Sequence, residues 1–574
     1  MKPLYFYISS PRLECLRTHL WQILPLAGIV ILLLFAGCRS ESSSTNKNES
    51  SDISDTNDKS EENPAYLRLP IDGAVTTLDP GLTEDTASIE LVEQLFLGLT
   101  DFDPETYEPV PELATHWTVE DDGLRYHFFL REDVSWTNGV PVTAHDVVWA
   151  LRRNINPETA SPYASMLYIL KNAKALHSGE MNDFDQLGVE AKGDYEVIFT
   201  LEYAAAYFPA IVGLWVYRPL PREAIDTFGE DWTLPENIQT NGSYTLNVWD
   251  KGTLLILKKN DTYFDAAQVA IPEVRYYVVV ESSIGMILYE RGELDILGGN
   301  YLRLPIDEIW RIKVHPSLSH EYANEPQFCT YYYGFNTQKP PVDDPLVRKA
   351  ISAAIDRRLL IKVVTKGDEE PATTFTRPPI FGAVDPEEGV GIDFDPKQAR
   401  KWLAEAGYPE GNGFPEITLL HNVSETHKEI AEAVATLLDH YLNISVKIQA
   451  LEWTAYRNAI MPPNTPELYR FGWCADYPDA NNWLYDVFHP KYSPNRVNWE
   501  NEAFAQLVEQ AQLSSEPKER KKLYHDAEKI LTEEVAAIIP LYFYTAQYLV
   551  NPRIKGWYSM ALGGQHIRNW SLEE

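Results

Sequence analysis

Residues 39–65, RSESSSTNKNESSDISDTNDKSEENPA, fix where folding can begin. They hold eight Ser and seven acids with almost nothing apolar, too little to offset the entropy of ordering a chain. The segment is expected to be a flexible tether, which leaves the fold to residues 66–574. That remainder is too long for one ordinary hydrophobic core, so two or three lobes are expected. With 44% hydrophobic and 12% aromatic residues the chain can fill them.

What precedes the tether reads as an address. Lys2, Arg12 and Arg17 give a positive start, and Ile23 to Phe35 is apolar apart from Pro25 and Gly28. The run is of signal-peptide length, short of the ~18–20 residues of a spanning helix. It ends in Phe35-Ala36-Gly37-Cys38, which resembles a bacterial lipobox, so Cys38 is expected to carry lipid once residues 1–37 are removed. Cys15 leaves with the signal. Two cysteines then remain for an oxidising compartment, Cys329 and Cys474; one disulfide between them is expected, the alternative being two buried thiols. The net charge of −35 argues against a nucleic-acid partner and against a polybasic membrane surface, both of which need clustered Lys and Arg.

Strand and helix patterns alternate along the body, an α/β signature. Ile89, Val92, Leu95, Phe96 and Leu99 make one helical stripe between Thr86 and Leu99. Thr143-Ala144-His145-Asp146 is a capping box opening a helix to Arg153. Asp344-Pro345 and Asp395-Pro396 start helices running to about Val364 and to Ala406. Glu416 to His421, Glu425 to Leu442 and Ile444 to Leu451 form a β-α-β unit.

No enzyme signature holds: G-x-S-x-G, H-E-x-x-H, the P-loop and G-x-G-x-x-G are all missing from the sequence. His421 and His427 lie across a strand-to-helix turn at poor metal-ligand spacing. The chain is therefore expected to bind rather than catalyse, with neither a cofactor nor a metal.

Several long blocks carry a resemblance. They are Thr77-Leu78-Asp79-Pro80; VPELATHWTVEDDGLRYHFFLREDVSWTNGVPVTAHDVVWALRR from Val110 to Arg153; and TNGSYTLNVW from Thr240 to Trp249. CTYYYGFNTQKPPVDDPLVRKAISAAIDR from Cys329 to Arg357 and FGWCADYPDANNWL from Phe471 to Leu484 complete the set. Together they resemble the bacterial family 5 solute-binding proteins, and most of all the oligopeptide-binding proteins of ABC importers. The resemblance implies a bilobal periplasmic-binding-protein fold of type II with an extra inserted domain. Its expected division is lobe I at 66–97, 225–328 and 557–574, the insertion at 98–224, and lobe II at 329–556. It also implies a monomer, lipid-anchored outside the cytoplasm through Cys38, that closes around short peptides and delivers them to permease subunits. Dipeptides, murein peptides, signalling peptides, haem or nickel stay open as ligands, and a surface adhesin stays open as a role.

Carried over position by position, the resemblance makes Asp476 the partner of the peptide's terminal ammonium and Glu84 an acid facing it from the opposite lobe. Trp473 and Cys474 would pair with the ligand backbone. Arg470 and His427 would take its carboxylate. Trp453, Tyr163, Tyr289 and Trp557 would be aromatic pocket walls. Ile460 stands where close relatives carry a second arginine, and their carboxylate-binding lysine falls near Thr365 and Lys366.

Overall fold

The computed structural model describes residues 65–73 and 75–573. The expected signal segment, Cys38 and the tether up to residue 64 lie outside them. Among the described residues no helix is long and apolar enough to cross a membrane.

Three larger sheets organise the body. In the first, Leu67–Ile71 runs parallel to Glu273–Val278, followed by Leu254–Lys259 and Tyr244–Asp250. The second is antiparallel, in the order Ala114–Glu120, Arg125–Leu130, Glu196–Thr200 and Val189–Ala191. The third has seven strands, built around Tyr322–Phe335 and its antiparallel neighbours Ile538–Val550 and Leu468–Cys474. Ile417–Asn422 and Val446–Leu451 extend it in parallel, joined by helix Glu425–Leu442 as the β-α-β pattern requires.

The central sheet is covered on both faces, and the side-chain period of two sorts its residues. Tyr331, Tyr333 and Phe335 pack with Val347, Ile351, Ile430 and Val434 on one face. Phe328 and Tyr332 pack with Phe375, Trp483 and Phe488 on the other. Double burial explains why the CTYYYGF stretch shows no polar alternation.

Two helices are shorter than their sequence patterns suggest. The first spans Thr86–Leu95, and Phe96 is already extended. The chain leaves the helix because Asn241 accepts a hydrogen bond from the Leu97 amide at 3.0 Å and Glu112 accepts one from Gly98 at 2.6 Å. Leu99 is still buried, so the apolar stripe was a sign of core rather than of helix. The helix expected to run from Asp344 to Val364 stops at Ala353. Asp356 then caps a new helix, Arg357–Leu360, by accepting from the Leu359 amide at 2.9 Å, a local competition typical of Asp. The capping box at Thr143 and the helix Pro396–Glu405 form as expected.

Asp295 ties three distant stretches together. Its buried carboxylate accepts from Arg68 at 2.7 Å and from Arg553 at 2.8 Å. Asp79 of the TLDP block does similar work: it pairs with Arg153 at 2.6 Å and accepts from Trp232 Nε1 at 3.2 Å. Those contacts pin the loop that carries Glu84.

Candidate ligand-binding site

The strand Leu468–Cys474 and the loop after it carry most of the expected site residues. Antiparallel register sets Cys474 opposite Cys329 and Trp473 opposite Thr330. The two cysteines are disulfide-bonded, and Cys474 remains exposed. The bond fastens the end of the strand where the chain turns toward Asp476.

Asn482, buried in the first turn of helix Ala480–Phe488, organises that turn. Its Oδ1 accepts from the Asp476 amide at 2.8 Å and from Trp473 Nε1 at 3.3 Å. Its Nδ2 donates to Asp476 Oδ2 and to Asp486 Oδ2, each at 3.1 Å. Tyr477 adds a hydroxyl donor to Asp486 at 2.9 Å. Burial raises the Asp476 carboxyl above its ordinary range, while the Asn482 amide pulls the other way. Burial likewise lifts Asp486 to about 6, against the pull of Asn482 and Tyr477. Neither carboxylate has a cationic partner among the described residues.

Two more expected residues gather here from other parts of the chain. Tyr163 packs edge-on against Trp215 with ring centroids 4.9 Å apart. Burial raises its hydroxyl pKa, and the charges of Asp476 and Glu84 raise it further. Glu84 itself is exposed.

At the other end of the strand the charge is positive. The Arg470 guanidinium lies 4.5 Å from the Tyr331 ring centre. It donates to Tyr544 Oη at 3.0 Å and to Asn422 Oδ1 at 3.4 Å. Its Nε is buried without a partner, and no carboxylate pairs with it among the described residues. His427 approaches the Tyr331 hydroxyl at 3.4 Å. Burial first, then the charge of Arg470, lowers His427 to about 3, so it is neutral near pH 7. Tyr456 donates its hydroxyl to the Arg470 carbonyl. Trp453, 48% exposed, stacks on Tyr456 at 6.0 Å, which places an open indole beside this end.

Tyr289 and Trp557 sit elsewhere. Tyr289 is buried among Met286, Leu294, Leu302 and Ile312, and its hydroxyl donates to Glu321 at 2.7 Å. Trp557 packs edge-on against Tyr548 at 5.3 Å, with its Nε1 buried and unpartnered. No described contact links either residue to Arg470 or Asp476. Asn482, Asp486, Tyr331 and Tyr544 were not singled out from sequence. The four-residue spacing of Asn482 and Asp486, which puts both on one helix face, was the available signal.

Among the described residues the body thus carries an unpaired cation on the strand Leu468–Cys474 and an unpaired pair of carboxylates in the loop and helix that follow it, an arrangement suited to binding a ligand of mixed charge. The model for "Bacterial extracellular solute-binding proteins, family 5 Middle" matches residues 108–495, and the chain belongs to that family. Its fold is the bilobal α/β fold of periplasmic binding proteins. The periplasmic oligopeptide-binding protein OppA of Salmonella typhimurium is 33% identical over 488 residues, 84% of this chain and 88% of that protein. The oligopeptide-binding protein OppA of Bacillus subtilis is 30% identical over 510 residues, 88% of this chain and 92% of that one. Among solved structures, the murein tripeptide-binding protein MppA in its unliganded open form superposes with a TM-score of 0.80 at 30% identity, covering 88% of this chain and 97% of that one. Haemophilus influenzae OppA in complex with RPPGFSPFR gives 0.62 at 27% identity, covering 88% and 99%. These relatives are substrate-binding proteins, not enzymes.

Proposed function

We propose that this protein is the extracytoplasmic peptide receptor of an ABC importer and holds short peptides as zwitterions, ammonium toward Asp476 and carboxylate toward Arg470. The observation that carries the reading is the unpaired state of both charges. A buried charge without a counter-ion is costly, and a zwitterionic ligand relieves both ends at once. Arg470 and Asp476 are six positions apart, so at ~3.3 Å per residue their Cα atoms are at most about 20 Å apart. Backbone groups of the strand near Trp473 would pair with the ligand main chain, which is common to every peptide, so affinity comes without sequence selectivity.

Greater likeness to an unliganded open form than to a peptide complex supports reading this conformation as the open one, with closure on the ligand to follow. In that reading lobe I comprises 66–97, 225–328 and 557–574, the insertion 98–224, and lobe II 329–556. The two long strands Tyr322–Phe335 and Ile538–Val550 are the hinge. The mature chain would be a monomer held to a bacterial membrane by lipid on Cys38, releasing peptide to the permease subunits. Replacing Cys38 with Ala tests the anchor, and protein that stays membrane-bound to the same extent refutes it.

Calorimetry with Ala-Ala-Ala, its N-acetyl form and its C-terminal amide tests the ligand class. The free peptide is expected to bind and each blocked form to bind more weakly. Equal binding of a doubly blocked peptide overturns the reading.

A further inference from the structure

We propose that Asp486 is a second cation-binding carboxylate of the cleft, selecting peptides whose first residue is Lys or Arg. This inference rests on the peptide-binding reading above and names the ligands that reading favours. Asp476 and Asp486 accept from the same nitrogen, Asn482 Nδ2, at 3.1 Å each, so the two oxygens are no more than about 6 Å apart. The α- and ε-nitrogens of one lysine span a similar distance, about 6 Å. One side chain can therefore answer both carboxylates.

The surroundings favour a cation over a structural role for Asp486. Its Oδ2 is satisfied by Asn482 and Tyr477, while no described hydrogen bond or ion pair reaches its Oδ1. The carboxylate is not sealed off from solvent, unlike its neighbour Asp479. Asp479 is matched by Arg520 at 2.9 Å, so that arginine is already committed. Tyr203, 40% exposed, and the half-buried Tyr485 lie within electrostatic reach of Asp486. Tyrosines near a carboxylate suit an ammonium or guanidinium, because a desolvated cation that meets a ring face gains from ring and charge together.

The α-ammonium of a peptide offsets one of the two negative charges. With a neutral first residue, closure would bury the second carboxylate uncompensated, and Asp486 would have to take up a proton. With Lys or Arg in first place it need not. The groups facing it are Asp476, Asp479, Tyr477, Tyr203, Tyr207 and Tyr485, and none of them supplies a positive charge.

The test compares Lys-Ala-Ala with norleucine-Ala-Ala, which keeps the alkyl chain and drops the charge. Native protein at pH 7.5 is expected to bind the lysine peptide at least tenfold more tightly, and Asp486→Asn to bind the two within about twofold. Calorimetry in buffers of different ionisation enthalpy should show more proton uptake with the norleucine peptide than with the lysine peptide in native protein, and equal uptake with both in the variant, where only the peptide α-amino group, of pKa about 7.7–8.0, takes up a proton. A purely structural aspartate would not move that proton count. Equal affinities in the native protein, or a preference that survives in Asp486→Asn, overturn the inference while leaving peptide binding intact. If neither peptide binds the native protein, the peptide-binding reading fails and this inference fails with it.

Discussion

Asp295 is fully buried and Arg470 half-buried, and the two charges are treated in opposite ways. Asp295 is fully buried between Arg68 and Arg553, with contacts of 2.7 and 2.8 Å. Arg470 has two tyrosines, an asparagine amide and a neutral histidine around it, and no carboxylate pairs with it among the described residues. At the far end of its strand, Asp476 and Asp486 are held by an amide and a phenol, again with no opposite charge. Asp295 is matched within the chain, whereas Arg470, Asp476 and Asp486 are held by neutral dipoles, which keep a charge in place without quenching it. The buried Arg348 and Arg357, held by carbonyl oxygens and, for Arg357, the Ser352 hydroxyl, show that such solvation also serves the fold, so a ligand's opposite charge is the proposed and testable partner of the three.

Breaking the matched cluster gives the largest expected effect. Asp295→Asn removes the carboxylate shared by two guanidiniums, and losing one partner of a buried pair costs about 3–5 kcal/mol. Denaturant unfolding should show that loss, while the folded fraction binds peptide as before. A large change in affinity with little change in stability would erase the distinction between the two charge sets.

Asp476→Ala should do the reverse. Cutting one partner from a desolvated ligand ion pair costs about 2–5 kcal/mol, so the lower bound is roughly a 30-fold loss of affinity. Acetylating the peptide amine should cost as much, and doing both should cost much less than the sum, since each removes the same pair. An exposed carboxylate would instead give about 1 kcal/mol or less, fading with salt. Tight binding of the acetylated peptide to native protein would sink the assignment.

Arg470→Leu sharpens the comparison further. Replacing an uncompensated buried cation with an apolar side chain relieves desolvation, so the ligand-free melting temperature should hold or rise. Affinity for a free C-terminus should fall about tenfold, and for the amidated peptide hardly at all. A melting-temperature drop comparable to that of Asp295→Asn would make Arg470 a structural residue.

Much of this arrangement could be read from sequence where the pattern was local. The β-α-β unit, the capping box at Thr143 and both Pro-initiated helix starts follow from spacing and turn chemistry alone. The ends of two helices did not, because Asn241 and Asp356 compete for backbone amides and nothing periodic announces that. Asp476 and Arg470 were legible only through the long WCADY-containing block. The role of Asn482 as the hub joining Trp473, Asp476 and Asp486 depends on how the loop folds back. Tyr331 lies in the core, yet it also carries the guanidinium over its ring. Burial pattern cannot separate those two roles. Tyr289, given an aromatic-wall role through the same resemblance, packs among Met286, Leu294, Leu302 and Ile312 and donates its hydroxyl to Glu321.

The smallest effect concerns a third kind of buried charge. Glu90 accepts from Tyr276 and Tyr301 hydroxyls at 3.1 and 3.2 Å and from the Gln565 amide at 2.7 Å, with no cation paired to it among the described residues. Burial outweighs those donors and lifts it to about 8, against an ordinary value of 4.5. The folded state therefore holds a proton that the unfolded chain has released at neutral pH. Stability from this group is full below the unfolded value and is lost as pH rises toward the folded one. His427 works the other way, but its window lies between about 3 and its ordinary 6.5. Between pH 6.5 and 8 Glu90 should therefore dominate the pair, costing about 1 kcal/mol over one pH unit. Denaturant midpoints should fall across that range in native protein and fall less steeply in Glu90→Gln, which removes the charge; the slope left over belongs to Glu112 and Glu528, which burial lifts to about 8 and about 7. A native midpoint that rises with pH, or a slope untouched by Glu90→Gln, would show that this carboxyl is ionised in the fold and matched like Asp295.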